Sequence, residues 1–301
     1  MTLLTYTPYD GSAKPFTIGL MPLDPARWIE PDADLGRYLD EKQRLLYDRR
    51  NDVFVSEAGS EHAQRECLDL LTTYLCEQHP AIYRRDGDTI SAAGHSIDLA
   101  DPGLPPLLKA GSLVADDLVI MRRKENGWHL VAGHVAFPSS WSLQEKFGRP
   151  MQAIHGDVPG FGEGTRNAVL INRIFDNLQV AQPVERMNWS VSTTKELSLR
   201  TSTHSRPPAA TPPTLETRFA RVERQTLRKL PVSGDILFTI RVYVDPIAAI
   251  ANHPKASELA LSFAAQLDAL DEQQTAYKGL THQKSELARQ LRALADVASP
   301  A

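Results

Sequence analysis

The chain has 301 residues, 42 % hydrophobic and 23 % charged, enough to bury a real core in one large domain or two modest ones. Its 33 basic residues against 37 acidic ones give a formal charge of −4, and with no long basic run this argues against phosphate-tracking nucleic-acid binding and favours small or neutral partners. No stretch reaches the ~20 apolar residues of a membrane helix, and "MTLLTYTPYDGSAKPF" lacks a basic segment followed by an apolar one, so the expectation is a cytoplasmic protein.

In chain order, "PDADLGRYLDEKQRLLYDRR" sets Leu35, Leu39, Lys42 and Leu46 on one helical stripe. "GSEHAQRECLDLLTTYLCEQHP" opens at a candidate cap, Ser60, carries Ala63, Cys67, Leu70, Leu71 and Tyr74 at helical spacing, and stops at Pro80. Cys67 and Cys76 are separated by about 13 Å of helical rise, too far for a disulfide. They read as buried core thiols, and two cysteines are too few for a cysteine-ligated cluster in one chain.

The period then changes. "DDLVIMRRKENGWHLVAGHVAF" is two apolar runs joined by Asn126-Gly127, which predicts a hairpin with a type I′ turn and places Trp128, Leu130, Ala132, His134 and Ala136 on one face. "RNAVLINRIFDNLQV" spaces Val169, Leu170, Ile174, Phe175 and Leu178 as a helix, and "RMNWSVST" is a short strand. "HSRPPAATPPTLE" is an irregular connection. In "RVERQTLRKLPVSGDILFTIRVYV" a second hairpin alternates Ile236, Phe238, Ile240, Val242 and Val244 after a turn over Pro231 to Gly234. From Asp245-Pro246 onward "ASELALSFAAQLDAL" and "SELARQLRALADV" predict two helices around "DEQQTAYKGLTHQK". The fold class is α+β: antiparallel strands in the middle, helices before (about 30–80) and after (about 246–297), in a single domain over 1–301.

Several signatures are absent from the sequence: a P-loop, a Rossmann glycine fingerprint, a nucleophile elbow, a helical histidine pair around a glutamate. A self-sufficient nucleotide-using enzyme is disfavoured, and "GFGEGTRN" follows no βαβ strand and reads as a structural loop. Among the histidines, His62, His79, His253 and His282 fall on helix surfaces or ends, His95 and His129 beside turns, and His204 in a connection. His134 lies on an apolar strand face, where a core histidine is the default. His155, in "MQAIHGDVPGFGE", stands between an apolar Ile154 and a turn from Gly156 to Pro159.

Two stretches carry more charge than a buried strand tolerates. "FPSSWSLQEKFGRP" combines Phe137 and Trp141 with Glu145, Lys146 and Arg149, and "RVERQTLRKLP" alternates Arg221, Glu223, Arg224, Arg228 and Lys229. They read either as solvated faces with internal ion pairs or as a cationic wall for carboxylates, with a glutamate for proton transfer or for pairing a cationic substrate.

The chain resembles the haem-dependent oxidative N-demethylase family. The matching strings are "LVADDLVIMRR", "VAFPSSWSLQEKFGRPMQAIHGDVPGF", "RMNWSV", "RVERQTLRKLPVSGDILFTIRVYV", the early "MPLDPARWIEPDADLGRYLDEKQRLL" and the late "YKGL", roughly residues 15 to 290. One departure is Ala115-Asp116-Asp117-Leu118, where the family pattern has Gln-Glu-Asp-Leu. The resemblance implies a PAS-like fold, a b-type haem, and oxidation of a small secondary amine such as dimethylamine by dioxygen. It also implies electrons from NAD(P)H through flavin and iron–sulfur centres on partner reductase subunits. Carried onto this sequence, the Ile-His-x-x-Val-Pro string makes His155 the axial iron ligand, with His134 in reserve. Arg224 and Arg228, or Lys146 and Arg149, become partners of the haem carboxylates. Glu223 and Glu145 are the carboxylates for a small ammonium group, and Trp141 or Trp189 its apolar walls. The competing reading is a haem-binding PAS-type sensor without catalysis, which the lack of an output domain or sustained heptads disfavours.

Overall fold

The computed structural model describes residues 4–199 and 213–298; His204 lies outside the described residues. Strand β1 (Met21–Pro22) precedes helix α1 (Leu35–Val53), β2 (Phe54–Ser56) and α2 (Glu61–Gln78). A small sheet of β3 (Arg84–Asp86), β4 (Thr89–Ala92) and β5 (His95–Asp98) leads to α3 (Pro106–Gly111) and the hairpin β6 (Asp117–Lys124) and β7 (Gly127–His134). Short helices α4 (Leu143–Lys146) and α5 (Met151–Ile154) and the longer α6 (Arg166–Asn177) follow, then strands β8 (Val184–Ser192), β9 (Phe219–Lys229) and β10 (Ile236–Pro246). The described chain ends with α7 (Ala256–Asp268), α8 (Glu272–Tyr277) and α9 (Lys284–Ala298). The main sheet has seven strands in the order β1-β8-β9-β10-β6-β7-β2, every pairing antiparallel. The expected α+β class is what the chain adopts.

Helix α1 buries Leu35, Leu39 and Lys42 as the stripe requires. Lys42 is fully buried because its ammonium donates to the carbonyls of Gly111 (3.0 Å) and Asp116 (2.5 Å) and lies 4.0 Å from the Asp117 carboxylate. Ser60 stands at the start of α2 but does not cap it: its hydroxyl donates to Glu57 O (2.6 Å) and accepts from Gln64 Nε2 (2.9 Å). Of the two cysteines only Cys67 is buried; Cys76 is half-buried. The first hairpin turns at Glu125-Asn126 with Gly127 opening β7 at φ +125°, and neither loop residue has the positive φ of a type I′ turn. The small sheet, α3 to α5 and the extra helix α8 lack strong periodicity in the sequence.

Because cross-strand partners share a face, the registers separate two faces of the sheet. One carries Arg186, Asn188, Glu223, Gln225, Val242 and Ile240; the other carries Met187, Trp189, Arg224, Thr226, Arg241 and Tyr243. The expectation that Trp128 to Ala136 share one face fails at a register shift between Ile120 and Met121, which leaves Val131 unpaired. Trp128 and Leu130 therefore lie on the Glu223 face and Ala132 and His134 on the Arg224 face. A β-bulge reverses the alternation in this way, and no period-2 pattern announces it. Against the Glu223 face pack Leu143, Met151, Phe175 and Leu178 from the α4–α6 layer. On the other face α1–α3 cover one end and α7 with α9 the other.

His134 ends this bulged strand, fully buried, with neither ring nitrogen hydrogen-bonded, and burial holds its pKa well below the usual histidine value. Gly111 is pressed against it: a Cβ there would come within 2.0 Å of His134 Nδ1. Gly111→Ala should destabilise the protein by roughly 1–3 kcal/mol in denaturant unfolding, since overpacking outweighs the helix preference of alanine. An unchanged midpoint would show that the imidazole has room to move.

Candidate functional site

His155 follows α5 directly. The Met151 carbonyl accepts both its backbone N–H and its ring, at 3.1 Å each, and the His155 carbonyl accepts from Val158 N at 2.9 Å, closing the expected turn. A carbonyl only accepts, so Nδ1 bears the proton. Burial, with the cations Arg186 and Lys146 nearby, lowers the ring pKa to about 4 even though the Met151 bond raises it. The imidazole is therefore neutral near pH 7, and its Nε2 keeps a lone pair with no hydrogen bond among the described residues. A hydrogen bond from one ring nitrogen fixing the tautomer, with the other free, is how proteins prepare an imidazole for a metal. The Phe161 ring is 6.3 Å away, and Lys146 braces the loop by donating to Ile154 O at 2.6 Å.

Arg186 and Glu223 belong to the same sheet face. Asn188 is the cross-strand partner of Glu223, and Arg186 of Gln225, whose side-chain amide donates to Glu223 at 2.9 Å. The Arg186 guanidinium is desolvated, which lowers its pKa, while the Glu223 charge raises it; its buried Nε has no hydrogen-bond partner. Glu223 also acts electrostatically on Tyr277 and Lys278 at the end of α8. The candidate residues on this side are His155, Arg186 and Glu223, from the loop after α5, β8 and β9, linked by the electrostatic influence of Arg186 on His155 and of Glu223 on Arg186.

The other expected residues divide. Arg224 is on the opposite face, fully buried, bonded to Glu185 (2.7 Å) and to the carbonyls of Arg27 (2.6 Å) and Trp28 (3.1 Å). Arg228 stacks 4.1 Å over Trp28 on that same face. Both tie the N-terminal segment to the sheet, on the face opposite Glu223. Arg221 is on the Glu223 face but holds the 137–139 and 196–197 segments through Ser139 Oγ and the carbonyls of Phe137, Glu196 and Leu197. Glu145 and Arg149 are exposed, and Trp141 is half-buried against two core clusters. Trp189 is buried on the far face, donating to Gln266 Oε1 at 3.0 Å, so its ring does not wall the Glu223 side. Ala115, where the family pattern departs, sits in the apolar core.

Arg186 is a candidate the sequence reading leaves out: it stands in a string that reads only as a strand, although the alternation of "ERMNWS" puts it on the face of the odd-numbered residues of β9.

The family model described as haem-dependent oxidative N-demethylase, alpha subunit-like, matches residues 19–288. The chain belongs to this family. The description implies a haem, and the described residues fit one: the neutral, tautomer-fixed imidazole of His155 would serve as a protein ligand to its iron, and Arg186, whose buried Nε has no hydrogen bond among the described residues, would serve a carboxylate. No group of three or more histidine, cysteine, aspartate or glutamate side chains among the described residues forms a metal site of its own, so a porphyrin-held iron needing one protein ligand is the compatible kind. No helix among the described residues is long and apolar enough to cross a membrane.

Proposed function

We propose that the protein is the haem-binding subunit of a monooxygenase that removes a methyl group from a small secondary amine. The observation that carries this reading is the neutral, tautomer-fixed imidazole of His155, within the electrostatic reach of Arg186, in a chain of this family. The sheet, with helices over both faces, is read as an elaborated PAS-like domain, cytoplasmic, that takes electrons from flavin and iron–sulfur subunits fed by NAD(P)H. His155 would hold the iron of haem b, and Arg186 replaces Arg224 and Arg228 as the leading partner for a haem carboxylate, with Lys146 nearby. Bound haem supplies dioxygen activation. With two electrons and two protons, one oxygen atom enters the N-methyl group and the other leaves as water. The carbinolamine formed then falls apart to formaldehyde and the primary amine.

The chain's own part is to hold the amine. A secondary amine reaches the site as an ammonium ion and loses its hydration there, so it needs a carboxylate. Glu223, steadied by Gln225 and set on a strand rather than a loop, supplies it. Glu223→Gln should keep its haem content while weakening the amine-induced Soret shift by roughly 10–100-fold in affinity, the value of a charge-assisted hydrogen bond. Undiminished amine binding in that variant would remove Glu223 from the role.

A further inference from the structure

Between α2 and the turn joining β9 to β10 the protein leaves a groove of about 620 Å³, the size of a small-molecule site. Its apolar lining comes from Pro25 and Ala26, from Leu70 and Tyr74 of α2, and from Pro231 and Val232 of the turn. Arg65, Asp69 and Glu77 also line it, but they are exposed and keep their hydration. Glu66 is buried, and its two carboxylate oxygens accept from Val232 N (2.6 Å) and Ser233 N (2.9 Å). It is spent on holding the turn.

That leaves Arg228, which lines the groove from β9. Its guanidinium lies 4.1 Å over the Trp28 ring, and among the described residues it donates no hydrogen bond and meets no carboxylate within ion-pair distance. Arg224, on the same face of β9, shows the contrast: it has Glu185 and the carbonyls of Arg27 and Trp28. Burial lowers the pKa of Arg228, and the two groups that act in its favour, Tyr74 and Cys67, are themselves neutral because burial raises their pKa values. The indole face returns part of the lost hydration, yet a fork of N–H donors stays unused. Trp28 Nε1, in the ring beneath it, is also buried without a partner. Desolvated donors without acceptors cost stability, and their retention marks a place that something outside the chain completes.

The chemistry of that partner follows from the lining. A carboxylate accepts two parallel N–H bonds from one guanidinium, and the prolines, Leu70 and Val232 suit an apolar body behind it. A phosphate, with its second charge, would need a second desolvated cation, and Arg65 is exposed. We propose that this groove binds an organic monocarboxylate with a short apolar body, its carboxylate on the unused N–H groups of Arg228. The site does not depend on the haem reading, because Arg228 and Glu223 lie on opposite faces of β9.

Hexanoate titrated into the full-length protein should raise its melting temperature and shift the Trp28 Nε1–H resonance, assigned by its loss in Trp28→Phe, with a dissociation constant on the order of 0.1–1 mM. Hexanamide should do neither, and inorganic phosphate should bind roughly tenfold more weakly than hexanoate. Arg228→Met should weaken hexanoate by roughly 10–100-fold. It should also unfold at the wild-type denaturant concentration or above, since the arginine has no hydrogen bond to lose and a thioether keeps the contact with the indole. Acetyl-Ala-Leu, with a free or an amidated terminus, separates the two sources of such a carboxylate: a response to hexanoate alone assigns a free acid, and a response to the free peptide as well admits a chain terminus. No response to hexanoate, binding that survives Arg228→Met, equal binding of phosphate, or a clear loss of stability in Arg228→Met overturns the proposal. So does loss of hexanoate binding once haem is added, which would return Arg228 to a haem carboxylate.

Discussion

His155→Ala should yield a protein that fails to develop a Soret band after haem supplementation, or that shows an altered axial ligand set, while His134→Ala keeps the wild-type spectrum. Both imidazoles are neutral, since burial lowers both pKa values, so basicity does not separate them. Presentation does. The His155 ring is oriented by Met151 O, which leaves Nε2 without a hydrogen bond among the described residues, and it lies within the electrostatic reach of Arg186. His134 is enclosed in the opposite layer, with Gly111 so close that not even a methyl group fits between them. Removing His155 takes away the only bond the chain would make to the iron in this reading, and the effect on cofactor retention should be complete or nearly so. Normal haem content and an unchanged spectrum in His155→Ala, with both lost in His134→Ala, would reverse the assignment.

Arg224→Ala should lower stability by about 2–3 kcal/mol while leaving the candidate site intact, because it leaves the half-buried carboxylates of Glu185 and Glu30 without their counter-charge. Arg224 joins Glu185 at 2.7 Å and approaches Glu30 at 3.8 Å, and Glu30 in turn accepts from the Tyr6 hydroxyl at 2.5 Å. One guanidinium therefore locks two stretches of the N-terminal segment onto β8 and β9. Denaturant unfolding of the haem-free protein would measure the loss. At temperatures where the variant remains folded, its amine-induced Soret shift should match wild type, because Arg224 and Glu223 point to opposite sides of the sheet. A variant of wild-type stability with reduced haem content would restore Arg224 to the cofactor.

The contrast between these two predictions also marks where sequence reasoning reaches its limit. Long periodic elements were legible: α1, α2, both hairpins, α6, α7 and α9 all stand where spacing put them. The turn after His155 was legible too, through Gly156 and Pro159. The charged tract Arg221 to Lys229 was grouped as one wall because its residues are adjacent in sequence. Strand geometry sends Glu223 to one face and Arg224 with Arg228 to the other, a distinction that alternation alone supplies once the segment is accepted as a strand. Trp128 to Ala136 failed for the converse reason, since one unpaired residue at Val131 inverts a parity that the sequence seemed to guarantee. The partners of a buried charge are less legible still: nothing near Arg224 in sequence foretells Trp28, and nothing near Lys278 foretells the carbonyl of Trp189.

That last contact bears on how the outer edge of the sheet is kept from pairing. β1 covers β8 only at Val184 and Glu185, so from Arg186 onward the outer rim of the sheet has no neighbouring strand among the described residues. An open rim of peptide groups invites strand addition from a second chain, the first step toward aggregation. The Lys278 ammonium occupies the Trp189 carbonyl in the middle of that rim, where an intruding backbone would have to donate. The Lys278 side chain can therefore act as a gatekeeper against intermolecular β-pairing.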